Sequence, residues 1–395
     1  MLPQELIDLV IDNVQNDPAT LRTSSYVSSS FRRSSQRHIF SRIRIRPPRD
    51  GDTSTSTPCK KFSEILVSSP HLTSHVKHLD ILDGNSPDSW LASEESLPHV
   101  LSRLRLKKFS YLSIRPIIRI PVHLLPQTAR NLLRDVINSS TLTSLTFRWL
   151  MFTPSSFHYL LNGATVLEEL NLFGVDILHD DDSYNQYLKK EKTAPAINSN
   201  PTQLESFTTV DSDAGVLELI LRPDSPIDFR CLKTLVLSDR IDLLTVPQLE
   251  DMVSRPRRTL QHLYIQDFCT NLVDLAVNTA QHENLRSLYL ESRDSPTWNH
   301  TFQNCSHCVE EITLGFGLLD FSAIAPSDWK ALDEVLTRPR MAHLRAVVLR
   351  VHPGYVGEEW TQNTRSTFAQ YAHSVSSCLP VLSARGLLEV VSIPG

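Results

Sequence analysis

The nearest thing to a metal site in the 395-residue chain is His300, Cys305, His307 and Cys308. Thiolate and imidazole donors suit tetrahedral zinc, but a structural site of that kind draws on two ligand pairs, and only a single Cys-x-x-Cys occurs here. Cys308 also runs straight into the apolar stretch at Val309, so buried or half-exposed thiols are expected, and no metal. Other catalytic parts are scattered. His282-Glu283 lacks the second His of a His-Glu-x-x-His site; there is no Gly-rich phosphate loop ending in Lys-Ser or Lys-Thr, and no nucleophile elbow. With 11 Gly in the chain, tight backbone cradles are scarce. A hydrolase or transferase would need a cleft of clustered titratable groups, which the sequence does not offer. A non-enzyme with no catalytic residue and no cofactor is the expectation.

Charge and hydropathy narrow the partners further. Basic residues gather at Arg42, Arg44, Arg46 and Arg49, a run too short to mark a nucleic-acid site in a chain of formal net charge −5, and better read as solvated charge beside a linker. No apolar run approaches the roughly 18 residues of a bilayer span, and the N-terminus lacks the basic-then-apolar order of a signal peptide. Six scattered cysteines form no disulfide framework, which suits reduced thiols in the cytosol, the nucleus or both. Protein partners are expected, with neither nucleic acid nor membrane.

A repeated unit would position the binding residues. Its form is Leu-x-x-Leu-x-Leu, with copies starting at Val76, Leu106, Leu142, Leu167, Leu204, Leu232, Leu260, Leu285, Val309 and Leu344, spaced 24 to 37 residues apart. A weaker copy is placed at Leu388 to Ile393. That spacing fits one strand plus a returning helix or loop, and the strand period of two puts the fourth and sixth positions on one buried face. Helices are expected over 88–106, 122–137, 245–253, 272–281, 328–336 and 358–379. The fifth and seventh positions face away from the core side. Arg148, Asn171, Phe173, Tyr264, Gln266, Tyr289, Glu291 and Arg350 therefore form a candidate target-binding face, with Tyr264 and Tyr289 as exposed aromatics at its centre. High strand propensity alone would also place Tyr there.

The N-terminus is organised differently. Pro3 suits a first helical turn, and Leu6, Leu9, Val10 and Val14 make an apolar stripe. Asp17-Pro18 starts a second helix that buries Leu21 and Tyr26. A third, capped by Ser29 or Ser30, runs from Phe31 to Phe40. Three short helices in about 45 residues bury too little to stand comfortably alone, which implies a partner surface. Residues 47–60, rich in Pro, Ser and Thr, read as a flexible linker, and a further loop insertion lies near 179–201.

Leu2-Pro3-Gln4-Glu5-Leu6-Ile7, Asp17-Pro18 and Tyr26-Val27-Ser28-Ser29-Ser30-Phe31 together resemble an F-box, in the form common in large fungal families. The resemblance implies that residues 1–46 dock on the Skp-type linker of a cullin-containing ubiquitin ligase, with Leu2, Pro3, Leu6, Ile7, Ile11, Leu21, Val27 and Phe31 at its apolar positions; Phe31 stands where the family more often has Trp. The repeats of residues 61–395 resemble a leucine-rich repeat, a domain that in such proteins receives the target. The usual Asn three positions after the third Leu is missing: Gly84, Ile114, Leu150, Val175, Ser212, Arg240, Phe268, Arg293, Gly317 and His352 stand there. The expected fold is α/β: a three-helix F-box followed by an irregular leucine-rich-repeat-like solenoid with a parallel strand ladder. The expected function is a non-catalytic substrate receptor, the alternative a non-degradative protein-interaction scaffold.

Overall fold

The computed structural model describes residues 2–48, 57–83, 90, 93–113, 119–178, 201–238, 246–268, 281–292, 302, 305–317, 322, 324–352 and 362–392. The chain forms two compact units, Met1–Thr202 and Gln203–Gly395, each mixed α/β around a parallel sheet.

The first unit opens with α1 (Gln4–Asn13), α2 (Pro18–Ser24) and α3 (Ser29–Ile39). As the sequence suggested, Asp17 caps α2, accepting from the Ala19 and Thr20 amides at 3.0 and 3.1 Å, with Pro18 in the first turn. The cap of α3 is Ser28, one residue before the expected Ser29 or Ser30, because its hydroxyl accepts from the Phe31 amide.

There follow β1 (Arg42–Ile45), α4 (Pro58–Ser68), β2 (His78–Asp83), α5 (Leu97–Leu101), β3 (Lys108–Ser113), α6 (Gln127–Ile137), β4 (Ser144–Arg148), α7 (Pro154–Leu161) and β5 (Glu169–Phe173). The five strands pair in parallel in chain order. A small parallel sheet of Ile120–Pro121, Leu150–Phe152 and Asp176–Ile177 lies beside them.

β1 corrects the expected domain boundary. Phe40-x-x-Ile43-x-Ile45 is itself a repeat copy, with Ile43 in register with Leu79 and Ile45 with Ile81. The Ser41 carbonyl accepts from the Lys77 and His78 amides, as the Lys77 carbonyl does from Lys107 and Lys108, and the Lys107 carbonyl from Thr143 and Ser144. The helices therefore run into the sheet within two residues. The Pro/Ser/Thr stretch connects β1 to α4, a link inside the sheet domain, and 58–60 are already the first turn of α4, which Thr57 caps.

The second unit contains β6 (Ser206–Val210), α8 (Ala214–Leu221), β7 (Thr234–Ser238), α9 (Val246–Ser254), β8 (His262–Phe268), β9 (Ser287–Ser292), β10 (Glu311–Gly317), α10 (Pro326–Leu336), β11 (Ala346–His352), α11 (Gln362–Cys378), α12 (Pro380–Ala384) and β12 (Leu388–Ser392). Its seven strands also pair in parallel in order. Leu388 pairs with Val347 and Val390 with Leu349, so the last copy starts three residues earlier than expected, at Arg385.

The first, fourth and sixth positions of the copies from Val76 to Leu344 are all buried. At roughly 1.5–3 kcal/mol for each large side chain removed from water, this aliphatic ladder is the main source of cohesion in each unit. Three successive copies, those starting at Leu142, Leu167 and Leu204, carry a left-handed residue at the eighth position: Trp149, Gly174 and Asp211 have φ of 57°, 59° and 56°. That bend stands one residue before the position where an Asn was sought.

Helices are seen at 97–101 of the expected 88–106, at 127–137 with a 3-10 turn before it, and at 246–254, 326–336 and 362–378. The expected helix at 272–281 and most of the 179–201 loop lie outside the described residues. α4, α7 and α8 were not expected; each starts at a side-chain cap, Thr57, Thr153 or Asp213. Among the described residues no helix is long and apolar enough to cross a membrane.

Candidate functional site

Two surfaces carry the candidate residues. On the first, α1, α2 and α3 bury Ile7, Ile11 and Leu21 against one another, with Val14, Phe31 and Ile39 packed around them. Polar clamps join α1 to α3. Ser34 donates to Asp8 at 2.5 Å, and Arg37 and His38 converge on Asp12 at 2.6 and 2.7 Å. Hydrogen bonds from Ser34 and Gln4 hold the Asp8 carboxyl below its ordinary range, and the bond from His38 does the same for Asp12.

This packing divides the apolar stripe of α1. The buried face is Ile7, Ile11 and Val14; Leu6, Leu9 and Val10 of the apolar stripe point to solvent, and so does Tyr26, which was expected to be buried. The eight expected linker-docking residues divide accordingly. Leu2, Pro3, Leu6 and Val27 are exposed, Ile7, Ile11 and Leu21 form the core, and Phe31 packs half-buried on it. Leu9, Val10 and Tyr26 join the exposed set, which the sequence reading missed. Together Leu2, Leu6, Leu9, Val10, Tyr26 and Val27 lie between 49% and 83% exposed. A helix apolar on two faces would have signalled this.

The second surface is the strand face opposite the aliphatic ladder. In the first unit, Arg148 sits 4.8 Å from the Phe173 ring centroid, and Asn171 donates to Glu169 at 2.9 Å and to Thr146 at 3.5 Å. Burial works to raise the Glu169 pKa, but bonds from Asn171 and Ser144 and the charge of Lys108 outweigh it and hold the carboxyl low.

In the second unit the expected residues form a connected group. Tyr264 and Tyr289 face each other across β8 and β9 with ring centroids 3.7 Å apart and planes 6° from parallel. The Tyr289 hydroxyl donates to Glu291 at 2.5 Å, the Gln266 amide to the other Glu291 oxygen at 3.4 Å, and Ser238 to Gln266 at 3.1 Å. His352 Nε2 lies 3.6 Å from Glu291, and the Arg350 guanidinium 5.6 Å from the Tyr289 centroid. Tyr289 and Glu291 were expected to be open; both are buried, Glu291 to 3% exposure. Burial alone would raise the Glu291 pKa, yet His352, the Tyr289 hydroxyl and Gln266 bring it below the usual carboxylate range. Burial and the neighbouring Glu291 charge push the Tyr289 hydroxyl far up, and burial raises Tyr264. His352, absent from the expected set, belongs to this group: it follows Arg350 by two residues on the same face.

The candidate metal residues are not brought together in the described part of the chain. His300 lies outside it, and no group of three or more His, Cys, Asp or Glu among the described residues could hold an ion. His282 is buried, and burial with the nearby Arg257 charge lowers its pKa to about 4. What the two surfaces offer chemically is apolar docking and polar recognition. In comparisons with known proteins, no family model and no curated protein matches this chain.

Proposed function

We propose that the chain is the substrate-receptor subunit of a Skp-cullin-F-box type ubiquitin ligase. In this reading α1 to α3 act as an F-box docking on the Skp-type linker, and the repeats form a leucine-rich-repeat-like solenoid whose strand face holds a target protein. The observation that carries the reading is the open apolar surface of Leu2, Leu6, Leu9, Val10, Tyr26 and Val27 on a bundle whose own core is only Ile7, Ile11, Leu21 and their neighbours. Six exposed large apolar side chains within the first 27 residues mark a protein-docking site, and so small a core gains from a partner.

The mechanism is proximity. Holding a target beside the charged ubiquitin-conjugating enzyme raises the effective concentration of its lysines, and this chain supplies no catalytic group. Because β1 follows α3 after two residues and pairs with β2, a target on the first unit's sheet would be held in fixed relation to the docking helices.

Affinity purification of the full chain beside a Leu6→Asp, Leu9→Asp variant tests the proposal. Both side chains are exposed in the free protein, so the variant should fold. Recovery of linker and cullin with the intact chain, and loss of both with the variant, is the expected result. Linker without cullin would point to a non-degradative scaffold, and equal recovery or none with either chain would overturn the docking reading.

A further inference from the structure

Among the described residues, four cations beside the second unit's sheet are neutralised within the fold. Lys233 pairs with Glu205 at 2.7 Å, Arg230 with Asp228 at 2.6 Å, and Arg286 and Arg345 both approach Glu310, at 3.8 and 3.1 Å. Arg350 is different. Among the described residues no carboxylate forms an ion pair with it, and its guanidinium rests near the Tyr289 ring. The same-face acid on the next strand, Glu389, stands across from Val348, one step along β11 from Arg350, and makes no ion pair with it. A guanidinium kept beside an aromatic ring is partly desolvated and has its fork of donors unspent.

Two positions along the same face, His352 Nε2 is buried and lies 3.6 Å from the Glu291 carboxylate, just beyond hydrogen-bond distance. Opposite these two residues on β10 stand Gly315 and Gly317, so no side chain from that strand screens them. Glu291 fills the space over Gly315 and is already committed to the Tyr289 hydroxyl and the Gln266 amide.

We propose that Arg350 and His352 are the recognition point for a carboxylate, an Asp or Glu side chain carried by an extended segment of the captured protein. The inference rests on the receptor reading above. The guanidinium fork matches a carboxylate bidentately, and the imidazole supplies a second polar contact. The charge of the ligand follows from Glu291. Its ionised carboxylate lies 3.6 Å from His352, so a group with two negative charges meets about twice the repulsion that one with a single charge does. A carboxylate fits the site better than a phosphoryl group.

Fluorescence anisotropy on the full chain tests this with three labelled peptides of one length: alternating Thr and Glu, alternating Thr and Gln, and the first with phosphoserine in place of each Glu. The Glu peptide should bind at least tenfold tighter than the Gln peptide and no more weakly than the phosphoserine peptide. Arg350→Gln should abolish the preference for Glu over Gln, and Arg350→Lys, which keeps the charge but not the fork, should retain part of it. Lys330→Gln, at an exposed position of α10 outside both surfaces, should leave it unchanged. Circular dichroism and melting of each variant show whether it is folded. Equal binding of the Glu and Gln peptides, no binding of any peptide, or a Glu preference that survives in folded Arg350→Gln would overturn the proposal, and a tenfold preference for phosphoserine would overturn its single-charge basis. Linker capture measured on the same samples separates the two readings: a Glu preference without linker capture would sink the receptor function and leave the carboxylate site standing.

Discussion

Glu291 lies across Gly315: a β-carbon at Gly315 would sit 2.7 Å from Cγ of Glu291 and 2.9 Å from its Cβ. The two are cross-strand neighbours, and the missing side chain on β10 is what lets a buried carboxylate lean over the sheet towards His352. Gly315→Ala should therefore displace Glu291 and loosen the hydroxyl of Tyr289 from it. The expected cost is about 1–3 kcal/mol, typical of overpacking a close-packed site. Urea unfolding should show a lower midpoint at unchanged slope, and near-ultraviolet circular dichroism should report the disturbed tyrosine stack. A midpoint equal to that of the parent would mean that Glu291 is not held where the geometry places it.

Trp149 and Gly174 form a second close pair, at the strand ends of the first unit. Both take left-handed backbone, and a β-carbon on Gly174 would fall 2.0 Å from the Trp149 ring. The Trp149 amide also donates to the Phe173 carbonyl at 2.7 Å, which fixes the ring over Gly174. Gly174→Ala meets both a disfavoured φ and an occupied space. A loss of roughly 1–3 kcal/mol is expected from backbone strain alone, with the clash added to it. Melting and the Trp emission maximum would register it, while Gly386→Ala, with positive φ but nothing within 4 Å, separates strain from clash.

Asp80 is fully buried and holds β1 to the sheet through Arg42 at 2.9 Å, Arg44 at 3.4 Å and His78 at 2.9 Å. Burial pushes its pKa up, but the bonds and charges of His78 and Arg42 prevail and leave it far below the ordinary Asp value. A carboxyl with a depressed folded pKa stabilises above its unfolded pKa, here about 4, and that contribution is lost as pH falls through the folded value. Asp80→Asn should thus lower stability at neutral pH by about 1.5–3 kcal/mol, the scale of hydrogen bonds to a charged group. It should also flatten the acid limb below pH 4. Hydrogen exchange at the Lys77 and His78 amides, which bond to Ser41, should quicken. Unchanged exchange there would show that β1 is held without the charge cluster.

Much of the strand ladder was legible because burial at the first, fourth and sixth positions leaves a direct apolar signature, as in Leu285, Leu288 and Leu290. The copy at Phe40, Ile43 and Ile45 escaped because Arg42 and Arg44 between them read as a basic run, although in a strand such alternation is what one wet and one buried face require. The buried face of α1 was not legible for a related reason. Ile7 and Ile11 at i and i+4, and Leu6, Leu9 and Val10 beside them, give two apolar stripes, and hydrophobicity alone does not say which one the fold uses. The face residues Tyr264, Tyr289 and Glu291 were found by position, but their burial was not. It depends on the absence of a side chain at Gly315 and on His352 two residues beyond Arg350, relations between strands that no local pattern carries.

His282 makes a pH prediction of opposite origin to that of Asp80. The side chain is buried, its Nδ1 has no hydrogen-bond partner, and its backbone carbonyl accepts from Ser306 at 2.7 Å. Burial first and Arg257 second lower its pKa from 6.5 to about 4. The unfolded chain therefore takes up a proton near pH 6.5 that the folded chain refuses until about pH 4, so stability is intact above 6.5, falls through that interval and falls no further from this cause below it. The Asp80 limb begins where this one ends. Melting temperature measured from pH 8 to pH 3 should show two successive declines, and His282→Gln, which keeps the backbone bond and a polar group of similar size, should remove the upper one only. If the variant retained the decline between 6.5 and 4, some other group would be binding that proton and His282 would already be solvated in the fold.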